Sequence, residues 1–199
     1  MARVEAILDF WFGSPKSLDY GKERSFWFTK NPEFDRELSE YFLLNYEQAA
    51  GGELDYLQDS PLGCLALILL LDQFPRNMFR GTPKSFATDA KALAVAQNAV
   101  ERKCEALRAR WRYRALLPVQ RWFIYLPFEH SENLADQERC VELFATLADH
   151  PASANTISYA LRHKAVIESF GRFPHRNKIL GRANTAAEAE FLKQPGSSF

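Results

Sequence analysis

An all-α fold is what this sequence predicts, on three observations. Apolar residues recur at three- and four-residue steps along most of its 199 residues. Helix starts are marked by a capping residue followed by proline or an acid. No stretch alternates polar with apolar for the length of a strand. Tight Pro/Gly connections then favour antiparallel neighbours, in roughly eight to ten helices.

Val4, Ile7, Leu8 and Trp11 lie on one face of a first helix over residues 2–12, which Gly13, Ser14 and Pro15 end. Phe26, Trp27 and Phe28 follow in a loop, where their bulk predicts that they plug a helix interface. Asn31, Pro32 and Glu33 combine a cap, a first-turn proline and an acid that suits the helix dipole, opening a helix to about Ala50 that Gly51 and Gly52 stop. Ser60 and Pro61 repeat the start signal. The helix they open is apolar nearly all round from Leu62 to Leu71, so it is buried on most sides, and it should end near Gln73 because Phe74 precedes a proline.

From Thr88 to Lys103, Ala90, Leu93, Ala94, Gln97 and Val100 share a face. Pro118 opens Val119 to Leu126, with Pro127 as its end. Ser131 is a cap for a helix through Asp149, Pro151 to Phe170 forms the next, and Thr185 with Glu188 makes a capping box for the last. A chain of this length buries roughly 70% of its extended surface, enough for residues 1–199 to form a single all-α domain.

Charge narrows the partners. Lys and Arg together number 25, as do Asp and Glu, so there is no global basic field to hold nucleic acid. Sixteen of the cations are Arg, which favours partly buried, forked contacts with carboxylates or phosphates over solvated point charges. Residues 108–114, RARWRYR, form one basic patch interleaved with aromatics, and with zero net charge they read as a helix face rather than a nucleic-acid stripe. Cys64, Cys104 and Cys140 are odd in number and apolar in setting, the pattern of reduced thiols in a cytoplasmic protein. Glu5 and Asp9 interrupt what would be a leader's apolar core, and LALILLL is too short to span a bilayer.

The chemistry gathers at two similar corners. Asp72, Gln73, Phe74, Pro75, Arg76 and Asn77 follow the most apolar run, with Arg80 four residues beyond Arg76. Gly171, Arg172, Phe173, Pro174, His175, Arg176 and Asn177 repeat the theme. Between them LPFEHSE places Glu129, His130 and Glu132 in one loop. Asp72, Arg76, Asn77, Arg80, Arg172, Arg176 and Asn177 are the candidate ligand-binding residues, and His130, His175 and Glu129 the candidate acid/base groups. Against this stands a structural reading, in which the same arginines and asparagines satisfy helix ends and tie helices together. His130, His163 and His175, three of the four histidines, show no HExxH or HxxxH spacing, so no metal or other cofactor is expected. Convergence of the two corners and the EHSE loop on one pocket would make a site for a small anionic ligand, with a peptide groove as the alternative. The mixed-charge exterior points to a monomer or weak dimer.

DQFPRNMFRGTPKSFATD, YLPFEHSE, FGRFPHRNKILGR and EFLKQPGSSF resemble the signature blocks of the uncharacterised family DUF924, over nearly the whole chain. The resemblance implies a tetratricopeptide-like α-superhelix and no particular activity. From the residues alone, the faint echo between the corners leaves a short solenoid and a compact bundle both open.

Overall fold

The computed structural model of the chain describes residues 4–101 and 116–198, so the basic stretch 108–114 and Cys104 lie outside the described residues. Those described are helical with no strand. Helix α1 (Val4–Phe12) buries Ile7, Leu8, Trp11 and Phe12. A 3-10 turn then brings Trp27 onto it, stacked on Trp11 and donating its indole N–H to the Trp11 carbonyl at 2.9 Å. Phe26 is half-buried, but Phe28 is exposed, contrary to its expected role as a plug. Trp27 is the buried member of the three, and Phe26 packs beside it against Trp11 and Phe34.

Helix α2 (Pro32–Gly51) starts and ends where its signals stand. The Asn31 side chain accepts from the backbone N–H groups of Glu33 and Phe34, and Gly52 takes the left-handed conformation, φ 91°, that closes the far end. Helix α3 (Pro61–Ile68) is capped by Ser60, and every residue from Leu65 to Leu71 is fully buried. Each large side chain of this run taken out of water contributes roughly 1.5 to 3 kcal/mol.

The run does not end at Gln73. Residues Leu69–Gln73 widen into a π-turn in which the Phe74 N–H reaches back to the Leu69 carbonyl, and α4 (Phe74–Met78) continues beyond it. The reason is Pro75, which lacks an N–H and whose ring would strike the Leu71 carbonyl in a regular helix. A π-turn absorbs the clash without a break. The freed Leu71 carbonyl accepts the Thr88 hydroxyl at 2.6 Å, and this bond fixes the start of α5 (Asp89–Glu101) beside the bulge.

On α5 the buried face is Ala92, Val95, Ala96 and Ala99 with Val100, so the expected stripe is rotated by one step. Ala94 and Gln97 are exposed, Ala90 and Leu93 border a cavity, and only Val100 of that stripe lies in the core. Small alanines fit either face, which leaves the direction of burial open until α3 and α6 pack against it. Helix α6 (Pro118–Glu129) likewise runs through its internal Pro127 rather than stopping there. Helix α7 (Leu134–Ala145) is capped by Asn133, not Ser131, whose hydroxyl bonds Asp136 instead, and it ends before Asp149. Helix α8 (Ala154–Phe170) ends at Gly171, and α9 (Ala186–Phe191) carries the capping box of Thr185 and Glu188. In space α5 packs on α3 and α6, α6 on α7, and α7 on α8. No helix among the described residues is long and apolar enough to cross a membrane.

Candidate functional site

The π-turn points an acid into the core. Asp72 is fully buried, yet three donors surround its carboxylate: Gln73 Nε2 at 2.6 Å, His130 Nδ1 at 2.7 Å and Arg76 Nη1 at 3.2 Å. Burial alone would favour the neutral acid, but the Arg76 guanidinium and the His130 ring overcome it and hold the carboxyl well below its ordinary range. The widened turn also exposes the Asp72 carbonyl, which Arg76 Nη1 caps at 2.7 Å.

Arg76 then reaches the first residue of α5. Its two terminal nitrogens fork onto Asp89 at 2.8 and 3.0 Å. The second corner meets the same acid: Arg176 Nη1 lies 3.5 Å from Asp89 and donates to the His130 carbonyl at 3.0 Å. Thus the two FP(H)RN corners, a hundred residues apart in sequence, share one carboxylate. The Phe86 ring lies 5.7 Å from the Arg76 guanidinium and 4.8 Å from that of Arg176, and the Phe173 ring lies 4.5 Å from Arg176.

A cavity of about 390 Å³ opens here. Its polar wall is Asp89, His130, Ser131, Glu132 and Arg176, and its apolar wall includes Pro83, Phe86, Leu93, Pro127 and Leu180. His130 hangs between two elements: its ring is bonded to Asp72 through Nδ1, and no acceptor or donor among the described residues meets Nε2. With an ionised carboxylate at Nδ1, that nitrogen carries the proton and Nε2 carries the lone pair. Burial, reinforced by the charge of Arg76, lowers the affinity of the ring for a second proton despite the opposing pull of Asp72. The ring is neutral at pH 7.

Other candidates fall elsewhere. Asn77 Nδ2 and Arg80 bind Asp35 on α2, at 2.8 Å and at 3.0 and 3.1 Å, and so tie α4 to α2 on a side away from the cavity wall. Arg172 forks onto Glu188 at 2.6 and 2.8 Å, holding Glu188 down to about 2 and fastening α9 to the second corner. Asn177 Nδ2 donates to Asn184 at 2.8 Å. His175 stands over Phe173, and burial with the neighbouring Arg176 charge lowers it to about 4, so it too is neutral. Glu129 is buried behind the cavity, 3.3 Å from His163 Nδ1, and burial with the Asp72 charge raises it to about 8. It is a carboxylic acid at pH 7. Among the described residues, no group of three or more His, Cys, Asp and Glu side chains is placed to hold a metal ion.

Asp89 and Phe86 are the members that sequence reasoning passed over. An acid in a first helical turn is favoured by the dipole wherever it occurs, so Asp89 gave no signal of its own. Glu132, in the EHSE loop, accepts two bonds from Arg182 at 2.6 and 2.9 Å and one from the Phe173 N–H at 2.8 Å, which docks the second corner against the loop.

A family model described as "Bacterial protein of unknown function (DUF924)" matches residues 7–196. Among solved structures, a protein of unknown function, ATU0120 from Agrobacterium tumefaciens, is similar at 36% identity over 96% of each chain, with a TM-score of 0.78. No curated protein matches.

Proposed function

This chain belongs to the DUF924 family, whose description names no activity, and we propose from its own geometry that the cavity binds a small anionic metabolite on which His130 acts as a general base. The observation that carries this reading is the 2.7 Å bond from His130 Nδ1 to buried Asp72. It fixes the proton on Nδ1 and leaves Nε2 unprotonated on a residue that lines the cavity, the protonation state a general base requires. Gln73 and Arg76 keep Asp72 ionised, so the pair is held by a second layer of bonds. The volume of about 390 Å³ suits one small molecule. Arg176 supplies the positive charge on the wall, whereas Arg76 is taken up by Asp72 and Asp89. Of the candidate acid/base groups His130, His175 and Glu129, His130 alone borders the cavity.

A thermal-shift screen against phosphorylated and carboxylated metabolites tests the reading. A ligand at 100 times its dissociation constant should stabilise the native state by about 2.7 kcal/mol. Mass spectrometry of that ligand after incubation should show conversion by the wild type and none by His130→Asn, with binding retained in the variant. No shift with any anion would contradict the site; conversion by His130→Asn would contradict the base.

A second reading follows from the sequential stacking of α5 on α6, α6 on α7 and α7 on α8. Such stacking supports a tetratricopeptide-like superhelix, whose usual role is to hold a peptide. The burial of Cys64 and Cys140 fits the reducing cytoplasm expected for either.

A further inference from the structure

We propose that the guanidinium of Arg176 is the carboxylate anchor of this cavity, and that the ligand it selects is a small monocarboxylate with an apolar body. The inference rests on the cavity being a ligand site and adds the chemical class of what enters it.

Arg176 is 7% exposed, and a buried guanidinium normally spreads its five N–H groups over several acceptors. This one does not. Among the described residues all its hydrogen bonds leave from Nη1, one to the His130 carbonyl and a long one, 3.5 Å, to Asp89. Nε is enclosed and has no acceptor. Nη2 donates to none of the described residues. Charge-assisted bonds between guanidinium and carboxylate ordinarily run at about 2.7 to 2.9 Å, so Asp89, already forked by Arg76, compensates Arg176 poorly. Burial, with repulsion from Arg76, lowers Arg176 to about 10, which leaves it charged at pH 7 and, among the described residues, without a closely held counter-ion.

The surroundings limit what that counter-ion can be. Phe86 and Phe173 both pack their rings against the guanidinium, at 4.8 and 4.5 Å, where an oxyanion would meet no donor, so its unbonded N–H groups are what remain for one. Asp89 and Glu132 stand in the same wall, Asp89 shared between Arg76 and Arg176 and Glu132 paired with Arg182. A phosphate dianion would bring two negative charges beside these two carboxylates; a carboxylate brings one. Phe86, Leu93, Pro127 and Leu180 offer the rest of the ligand an apolar wall. The bond from Arg176 to the His130 carbonyl sets the anchor at a fixed reach from the proposed base.

Phenylacetate, acetate, inorganic phosphate and phenyl phosphate serve as probes, with binding followed by NMR on arginine-labelled wild type and on Arg176→Met. Methionine keeps the unbranched stem beside the two phenyl rings and removes the charge. Phenylacetate should bind the wild type, move the Arg176 side-chain resonances, and bind at least tenfold tighter than acetate or either phosphate. Arg176→Met, shown folded by circular dichroism, should lose that binding at least tenfold. Equal phenylacetate affinity in the two proteins, tighter binding of either phosphate, or phenylacetate binding that leaves the Arg176 resonances unmoved would overturn the anchor. The same titration on His130→Asn separates the two claims: wild-type affinity there keeps the anchor standing even if no conversion by His130 is ever detected.

Discussion

The two FP(H)RN corners carry nearly the same residues and do different work. At the first, Phe74 to Asn77 lie within a helix that Pro75 forces through a π-turn, and Arg76 is used up holding Asp72 and Asp89. At the second, Phe173 to Asn177 lie in a 3-10 turn after Gly171, and Arg176 commits one nitrogen only. What separates them is the count of acceptors within reach of each guanidinium. The first corner holds Asp72 and Asp89 in place, and the second presents a charge to the cavity that Asp89 and Arg176 both line.

Replacing each arginine by methionine should split the corners most sharply. Arg76→Met leaves buried Asp72 and partly buried Asp89 without their main cation and should cost about 3 to 5 kcal/mol in urea denaturation. Arg176→Met, which removes an under-compensated charge, should stay within about 1 kcal/mol of wild type. Equal losses would erase the distinction.

Glu129 sharpens the same contrast by pH. Its folded-state affinity for a proton is raised, to about 8 from an ordinary 4.5, so the native state holds a proton that the unfolded chain releases. Its contribution is therefore fully present below about pH 4.5 and is lost as pH rises through 8. Glu129→Gln should remove that loss, stabilising the protein by a few kcal/mol at pH 8 and by nothing measurable near pH 4. His163, lowered to about 3 by burial, works the other way, its stabilisation being present above pH 6.5 and lost as pH falls towards 3. A gain from Glu129→Gln that is flat with pH would remove the buried acid from the account. The smallest effect belongs to Arg80→Ala, because its pair with Asp35 is 38% exposed on the arginine side; less than about 1 kcal/mol is expected in thermal unfolding.

How much of this the residues announced depends on whether a signal was local. Asn31 with Pro32, Ser60 with Pro61, and Thr185 with Glu188 declare helix starts by hydrogen bonds within one turn, and each start is where they place it. The fully buried run from Leu65 to Leu71 was equally plain, as was the kinship of the two corners, which meet at Asp89. Pro75 and Pro127 misled because tertiary packing carries both helices past a local breaker, and at Pro75 the orphaned carbonyl finds Thr88 seventeen residues on. Nor could spacing tell that Asn77 and Arg80 would turn to Asp35, since that acid lies on a helix forty residues earlier.

The central claim is that His130 stands neutral at the cavity with its proton on Nδ1, held there by Asp72. Long-range proton–nitrogen NMR of the histidine rings, followed from pH 8 to pH 5, measures this directly. The account predicts an Nδ1–H tautomer at pH 7, a titration midpoint below 6.5, and a further fall in Asp72→Asn, because the lost carboxylate is what favours the charged ring. An Nε2–H tautomer, or a His130 ring already protonated at pH 7, would contradict it.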